Sequence, residues 1–273
     1  KGMGHYFGTD GIRGLVGDKL TAKIAYRVGR YLGTYQQKKQ TIVLGMDTRI
    51  SSSMLASAFV AGVTSAGSDV IYLGVVSTPM VSFCLTHYSF DFGVMISASH
   101  NPYFDNGIKV FNRKGEKLEA AIESKIEHFI DLDQDLIENK TNADIGRVID
   151  QNVIFRNAYL DFLTSFIHYD VSHLKIAVDA SHGSASYLVQ ELFAKLGIQG
   201  DFHFVQPDGI NINDRCGATH MQALMDIVIR GNYDLGLAFD GDADRMLAVS
   251  ENGDLIDGDA LLYLHAKYTL PQY

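Results

Sequence analysis

The sequence has no tryptophan, only two cysteines and four prolines, and no long apolar run. Crossing a bilayer as a helix takes about 20 consecutive apolar residues, so no membrane span is expected. Residues 1–10 carry no apolar core of the secretory-signal kind. Cys84 and Cys216 stand far apart, without metal-type spacing. A disulfide framework is therefore not expected, and a reducing, cytoplasmic setting is. The net charge is −9 and no basic run interrupts it, so nucleic acid is not an expected partner. An acidic chain can still hold anions where its few Arg and Lys converge.

What remains is ordinary globular material: 273 residues, 47% apolar and 20% charged, enough for two domains with their own cores. Lys1-Gly2 ahead of Met3 reads as foreign to the fold. Helix-like and strand-like segments then alternate. Residues 21–37 place Ile24, Val28, Leu32 and Tyr35 on one helical face, and Thr41–Leu44 reads as a strand. A helix over Ser51–Ala66, a strand over Val70–Leu73, a helix over Pro79–His87 and a strand over Phe92–Ile96 follow, then a helix over Glu119–Ile130. Residues 131–150 are polar and weakly periodic, which predicts a domain boundary near 150.

The second cycle repeats the pattern. Helices are expected over Val153–Ile167, Ala185–Leu196 and Thr219–Arg230, and strands over Lys175–Asp179, Asp201–Val205 and Leu235–Phe239. Apolar strands alternating with helices predict parallel sheets covered on both faces. From Asp257 to Tyr273 another helix begins, so residues 257–273 are expected to open a third domain.

Two motifs carry chemistry. The strand Phe92–Ile96 runs into Ser97-Ala98-Ser99-His100-Asn101-Pro102. In open α/β sheets, ligands gather beyond the carboxyl ends of the strands, which places Ser99 as a nucleophile and His100, Asn101 and backbone N–H groups around a phosphate. The same residues also suit a plain hydrogen-bonded turn. The second motif, Phe239-Asp240-Gly241-Asp242-Ala243-Asp244-Arg245, closes an apolar strand with three alternating aspartates. Three carboxylates there repel unless a cation holds them, and an oxygen donor set suits Mg²⁺ or Ca²⁺. Two other readings stay open. An EF-hand loop would place its final Glu at Glu251 but needs glycine where Arg245 stands. An aspartyl-phosphate enzyme would use Asp240 as nucleophile and Asp242 as acid/base, yet Asp244 occupies a position usually held by Thr or Val.

Arg13 in a glycine-rich turn, Arg49 after the strand Thr41–Leu44, Lys109 soon after the serine motif, and Arg245 supply four cations at loop positions. A doubly charged phosphoryl group needs about that many donors.

Four ordered stretches, FGTDGIRG (7–14), GMDTRISS (45–52), ISASHNPYFDNGIKVF (96–111) and FDGDADR (239–245), resemble the α-D-phosphohexomutase superfamily over essentially the whole chain. A fifth, PDGININDRCGATH (207–220), resembles the loop of its phosphoglucosamine mutase branch more than that of the phosphomannomutase/phosphoglucomutase branch. VDASHGSA (178–185) departs from the family's turn in having His182 for the usual Asn. The resemblance implies an α/β fold of two consecutive three-layer α/β/α domains, residues 1–150 and 151–256, with mostly parallel mixed sheets.

The resemblance also implies roles. Ser99 is the phosphoserine. Asp240, Asp242 and Asp244, with a Ser99 phosphate oxygen, hold one Mg²⁺ per chain. Arg13 and Arg245 steady the transferring group, Lys109 is a general base or acid, and His100 supports the same site. The implied reaction interconverts glucosamine 6-phosphate and glucosamine 1-phosphate, with a hexosamine 1,6-bisphosphate as intermediate and activator. A phosphorylated amino sugar is then the small-molecule partner, and a homodimer is possible. Family members have four domains, and neither the sugar-reading loop nor the distal phosphate clamp occurs in this sequence, so the chain alone is expected to be inactive.

Overall fold

A computed structural model describes residues 6–269; the expectations for residues 1–2 and 270–273 lie outside it. The first sheet contains β1 (Phe7–Gly8), β2 (Gly11–Leu15), β3 (Thr41–Met46), β4 (Asp69–Val75), β5 (Phe92–Ile96), β6 (Asp105–Asn112) and β7 (Val148–Asp150), in the order β1-β2-β6-β5-β3-β4-β7. Along β3, Ile42, Leu44 and Met46 face one core and Val43 the other. Helices α1 (Ala22–Gly33), α2 (Ile50–Ser65) and α4 (Ala120–Asp131) cover the first face. Helices α3 (Thr78–His87) and α5 (Asn152–Thr164) cover the second. Each aliphatic side chain taken fully from water there contributes about 1.5–3 kcal/mol before chain entropy is set against it.

The second sheet contains β8 (Lys175–Asp179), β9 (Gln199–His203), β10 (Leu235–Phe239), β11 (Met246–Ser250) and β12 (Leu255–Ile256), in the order β12-β11-β10-β8-β9. Helix α6 (Ala185–Leu196) packs on one face and α7 (Gln222–Gly231) on the other. Helix α8 (Gly258–Thr269) follows β12 and buries none of its residues. Helix α5 touches both α3 and α6.

These are two α/β units with mixed sheets. The antiparallel share is larger than strand–helix alternation predicts, because β5–β6 and β10–β11 are joined by short connections that force antiparallel pairing. Some segments differ from expectation. The helix predicted to residue 37 stops at Gly33, because Thr34 leaves helical backbone (φ −116°), and Tyr35–Gln37 form a separate 3₁₀ turn. The polar stretch 131–150 ends in β7, whose exposed Val148 and Ile149 leave no alternation to read. The strand predicted over 201–205 lies at Gln199–His203, and the helix predicted from 219 starts at Gln222.

Candidate active site

Strand β5 ends at Ile96, and the first residues of the turn after it are enclosed: Ser97, Ala98 and Ser99 have no exposure. Ser99 adopts a left-handed backbone, φ +53°, which costs a non-glycine residue about 1–2 kcal/mol and persists only where its surroundings hold it. They do so from several sides. The Ser99 N–H donates to Ser97 Oγ at 2.9 Å. Its carbonyl accepts from Arg49 Nη2 at 3.2 Å and from Asn213 Nδ2 at 2.9 Å. Gly241, from the aspartate loop, lies against that same carbonyl. A Cβ at 241 would stand 2.4 Å from it, so no other residue fits without displacing the turn.

The serine side chain crosses to the second sheet. Ser99 Oγ donates to Asp240 Oδ2 at 2.6 Å. Asp240 follows β10 and begins the hairpin into β11. Alternating residues on an extended strand share a face but stand about 7 Å apart; Ala243 at φ +55° curls the loop. One carboxylate oxygen from each of Asp240, Asp242 and Asp244 then lies within 4.8 Å of the others.

The charges are unevenly satisfied. Burial, and then the negative charge of Asp242, pushes the Asp240 carboxyl up. Burial would also raise Asp242, but the Lys109 ammonium outweighs it and holds that carboxyl below the ordinary carboxylate range. Asp242 Oδ2 accepts from Lys109 Nζ at 2.7 Å and from Thr78 Oγ1. Its other oxygen, Oδ1, is buried with no partner. A buried acceptor left open costs about 1–3 kcal/mol, more when charged. An orphaned carboxylate oxygen beside two further carboxylates fits a hard divalent cation. The flanking elements are antiparallel strands, unlike the two helices of an EF-hand.

The basic residues divide into two kinds. Lys109 on β6 is 2% exposed and also reaches Asp244 at 3.2 Å and Asp10 at 3.1 Å. Burial alone would lower its pKa, but the three carboxylates raise it above the usual lysine value. Arg13 on β2 pairs with Asp10 at 3.0 Å and reaches Asn101 Oδ1 at 3.4 Å. Arg245 Nη2 lies 3.0 Å from His100 Nδ1, and its Nε lies 3.9 Å from Asp240 and 3.8 Å from Asp244. A guanidinium only donates, so His100 Nδ1 accepts and the ring proton sits on Nε2. Burial, then the charges of Arg245 and Arg13, lowers the His100 pKa. The chain thus brings Ser99, His100, Lys109, Arg13, Arg245 and the three aspartates into one cluster.

Arg49 is the exception among the four cations expected around a phosphoryl group. Its side chain is fully buried and spent on Asp47 and on the carbonyls of Ser99 and Asn101. Asp47 in turn accepts from Ser97 Oγ at 2.6 Å and Ser52 Oγ at 2.8 Å. Arg49 is scaffold for the turn: both terminal nitrogens are committed, and its unpartnered Nε is buried. Asp47, Ser52, Thr78 and Asn213 were not picked out from the sequence, since each acts through a fold-dependent contact. The one available signal was the place of Asp47, Ser52 and Asn213 within the quoted stretches; Thr78 lies in none of them.

A cavity of about 660 Å³ opens beside the cluster, lined by His100, Asp240, Asp244, Arg245 and, from α8, Leu261 and His265 among others. It is large enough for a small ligand.

Residues 4–135 match the family model described as "Phosphoglucomutase/phosphomannomutase, alpha/beta/alpha domain I", and residues 157–253 match that for domain II. Among curated proteins, the phosphoglucosamine mutase of Clostridium acetobutylicum is 46% identical over 270 residues, covering 97% of this chain and 60% of the relative. That of Bacillus velezensis is 44% identical over 271 residues, with the same coverage. The chain thus spans about 60% of the length of these relatives. Among solved structures, a phosphoglucomutase/phosphomannomutase family protein from Burkholderia thailandensis superposes with TM-score 0.82 at 27% identity, covering 95% of this chain and 57% of that one. N-acetylphosphoglucosamine mutase from Aspergillus fumigatus, in complex with GlcNAc-6P and magnesium, shares the fold at TM-score 0.59 and 18% identity, covering 97% of this chain and 54% of that one.

Proposed function

The chain belongs to the phosphoglucomutase/phosphomannomutase family, and from that premise we propose that it holds the phosphoryl-transfer half of a phosphoglucosamine mutase. Its carrying observation is the 2.6 Å contact between Ser99 Oγ and Asp240 Oδ2. A hydroxyl on a strained turn meets a three-carboxylate loop from another sheet, with cations on either side.

In this reading Ser99 carries a phosphoryl group. The group passes to a hydroxyl of glucosamine 6-phosphate: the bond from Ser99 Oγ to phosphorus breaks, one to the sugar oxygen forms, and the hydroxyl proton ends on Ser99 Oγ. The 1,6-bisphosphate turns round and returns its other phosphoryl group to Ser99, leaving glucosamine 1-phosphate. Asp240, Asp242 and Asp244 would hold Mg²⁺, which when bound offsets charge on the transferring group and fixes its orientation. Arg245 and Arg13 flank the serine turn and supply donors to the phosphoryl oxygens. His100, whose Nδ1 accepts from Arg245, has its Nε2 proton to donate to a ligand. Lys109, held charged by three carboxylates, acts as counter-charge and donor, and becomes a base only when those carboxylates are neutralised.

The sugar assignment rests on relatives 44–46% identical to this chain and on the loop 207–220, whose Asn213 touches the serine turn. No helix among the described residues is long and apolar enough to cross a membrane. A division near residue 150, cytoplasmic location and a homodimer belong to the same reading.

The test is the intact mass of the protein after incubation with hexosamine and hexose 1,6-bisphosphates. Gain of one phosphoryl group that is acid-stable, resistant to hydroxylamine and absent from Ser99→Ala is expected. A hydroxylamine-labile phosphate retained by Ser99→Ala would move the chemistry to Asp240.

A further inference from the structure

Asp242 is held by a residue of the other sheet's unit. Thr78 opens α3, which packs against the first sheet, and Ser77 caps that helix by accepting from the Met80 N–H at 3.3 Å. Thr78 is 8% exposed, and it grips Asp242 twice. Its backbone N–H donates to the Asp242 carbonyl at 2.9 Å, and its hydroxyl donates to Asp242 Oδ2.

This double contact decides which oxygen Asp242 presents. Oδ2 receives Thr78 and Lys109 together. Oδ1, in the same carboxylate, is buried and has no donor. Two donors on one oxygen fix the carboxylate plane and leave the second oxygen open, in a carboxylate that lies within 4.8 Å of oxygens of Asp240 and Asp244. The positive end of the α3 dipole faces a loop of three negative charges, and its first N–H, that of Thr78, is the one bonded to Asp242.

We propose that Thr78 is a positioning residue for the divalent-cation site: it orients Asp242 from the first unit and so couples metal affinity to the docking of the two sheets. The proposal rests on the reading of the aspartates as metal ligands. Loss of an outer contact that orients a ligand carboxylate costs about 10–100-fold in metal affinity.

The experiment is calorimetric titration of the chain with Mg²⁺, for wild type, Thr78→Val, Thr78→Ala, Thr78→Ser and Asp240→Asn, with a thermal melt of each. Thr78→Val and Thr78→Ala should bind Mg²⁺ about tenfold more weakly. Thr78→Ser, which keeps the hydroxyl, should stay near wild type. Wild-type affinity in a folded Thr78→Val or Thr78→Ala overturns the proposal. So does equal weakening in Thr78→Ser, since the hydroxyl would then not be the cause. If Asp240→Asn loses Mg²⁺ while the hydroxyl-free variants keep it, the metal reading stands and only the role of Thr78 falls. No Mg²⁺ binding by wild type overturns both.

Discussion

Arg49 and Asn213 reach the same two carbonyl oxygens from opposite sides of the site. Both donate to the backbone oxygens of Ser99 and Asn101, Arg49 from the end of β3 and Asn213 from the loop after β9. The strained φ of Ser99 is thus fixed jointly by the two units. Each residue shares its acceptors with the other, so their removal should not be additive. In a double-mutant cycle of Arg49→Lys and Asn213→Ser, the coupling energy for phosphoryl transfer should be about 0.5–3 kcal/mol. Additivity within about 0.3 kcal/mol would show that the two clamps act separately.

Ser99→Ala should lower mutase turnover of the whole protein on the order of a thousandfold or more, the scale of losing a nucleophile. Its fold should be intact, because the contacts that hold the turn run through the backbone of Ser99. The measurement is turnover alongside a thermal melt. Near-wild-type turnover in a folded Ser99→Ala would remove the serine from the mechanism.

Much of this cluster was legible in the sequence, because residues that close apolar strands must gather at one end of a sheet. Ser99 after β5 and Asp240 after β10 follow from that rule. That the two sheets face each other, bringing Oγ to 2.6 Å of a carboxylate, does not. The curl at Ala243 was foreseeable, since three alternating carboxylates cannot converge on a straight strand. The fate of Arg49 was not, because nothing local distinguishes an arginine that binds ligand from one that clamps backbone carbonyls. Strands β1 and β7 escaped for a different reason: at two and three residues they are too short to show an alternation.

Phosphate on Ser99 should strengthen Mg²⁺ binding. The phosphoryl group must sit where Ser99 Oγ meets Asp240, next to carboxylates already in mutual repulsion. A cation relieves that repulsion more when the phosphate is present, so by linkage each favours the other. Calorimetry on phosphorylated and dephosphorylated protein should give the tighter Kd for the phosphorylated form, and Asp→Asn at 240, 242 or 244 should weaken both. Equal affinities would place the phosphate away from the triad.

Asp179, at the end of β8, makes a pH-dependent contribution to stability. It is fully enclosed and accepts from the N–H groups of Ser181 at 2.8 Å and Gly217 at 2.7 Å. Burial outweighs those bonds and pushes its carboxyl from 3.8 up to about 6. The folded value lies above that of the unfolded chain, so the folded state binds the extra proton between those two values. The contribution is therefore fully present below pH ~4 and lost as pH rises through ~6, a change of roughly 3 kcal/mol. Wild-type stability relative to Asp179→Asn, which mimics the neutral form, should fall over that interval in denaturant titrations. A flat difference would mean the carboxylate is as well solvated by its two N–H donors as by water.

Residues 1–273 assayed alone should fold and bind Mg²⁺ but show negligible interconversion of glucosamine 6-phosphate and glucosamine 1-phosphate. Ser99, the aspartates and the basic residues all lie within the described residues, so the groups proposed to handle the reacting phosphoryl group are in place. In the proposed reading, the grip on the non-reacting phosphate comes from the part of the relatives' length that this chain does not span. The cavity beside the cluster is bounded on one side by α8, which buries none of its residues and leaves Leu262, Tyr263 and Tyr268 open. Binding energy from remote parts of a substrate offsets the cost of orienting it at the reacting centre. Without that grip, the bisphosphate should leave before it turns round, and exchange of phosphate on Ser99 should outlast net isomerisation. A coupled assay gives the answer: turnover near the ~10 s⁻¹ of a median enzyme would show that these residues hold both ends of the substrate.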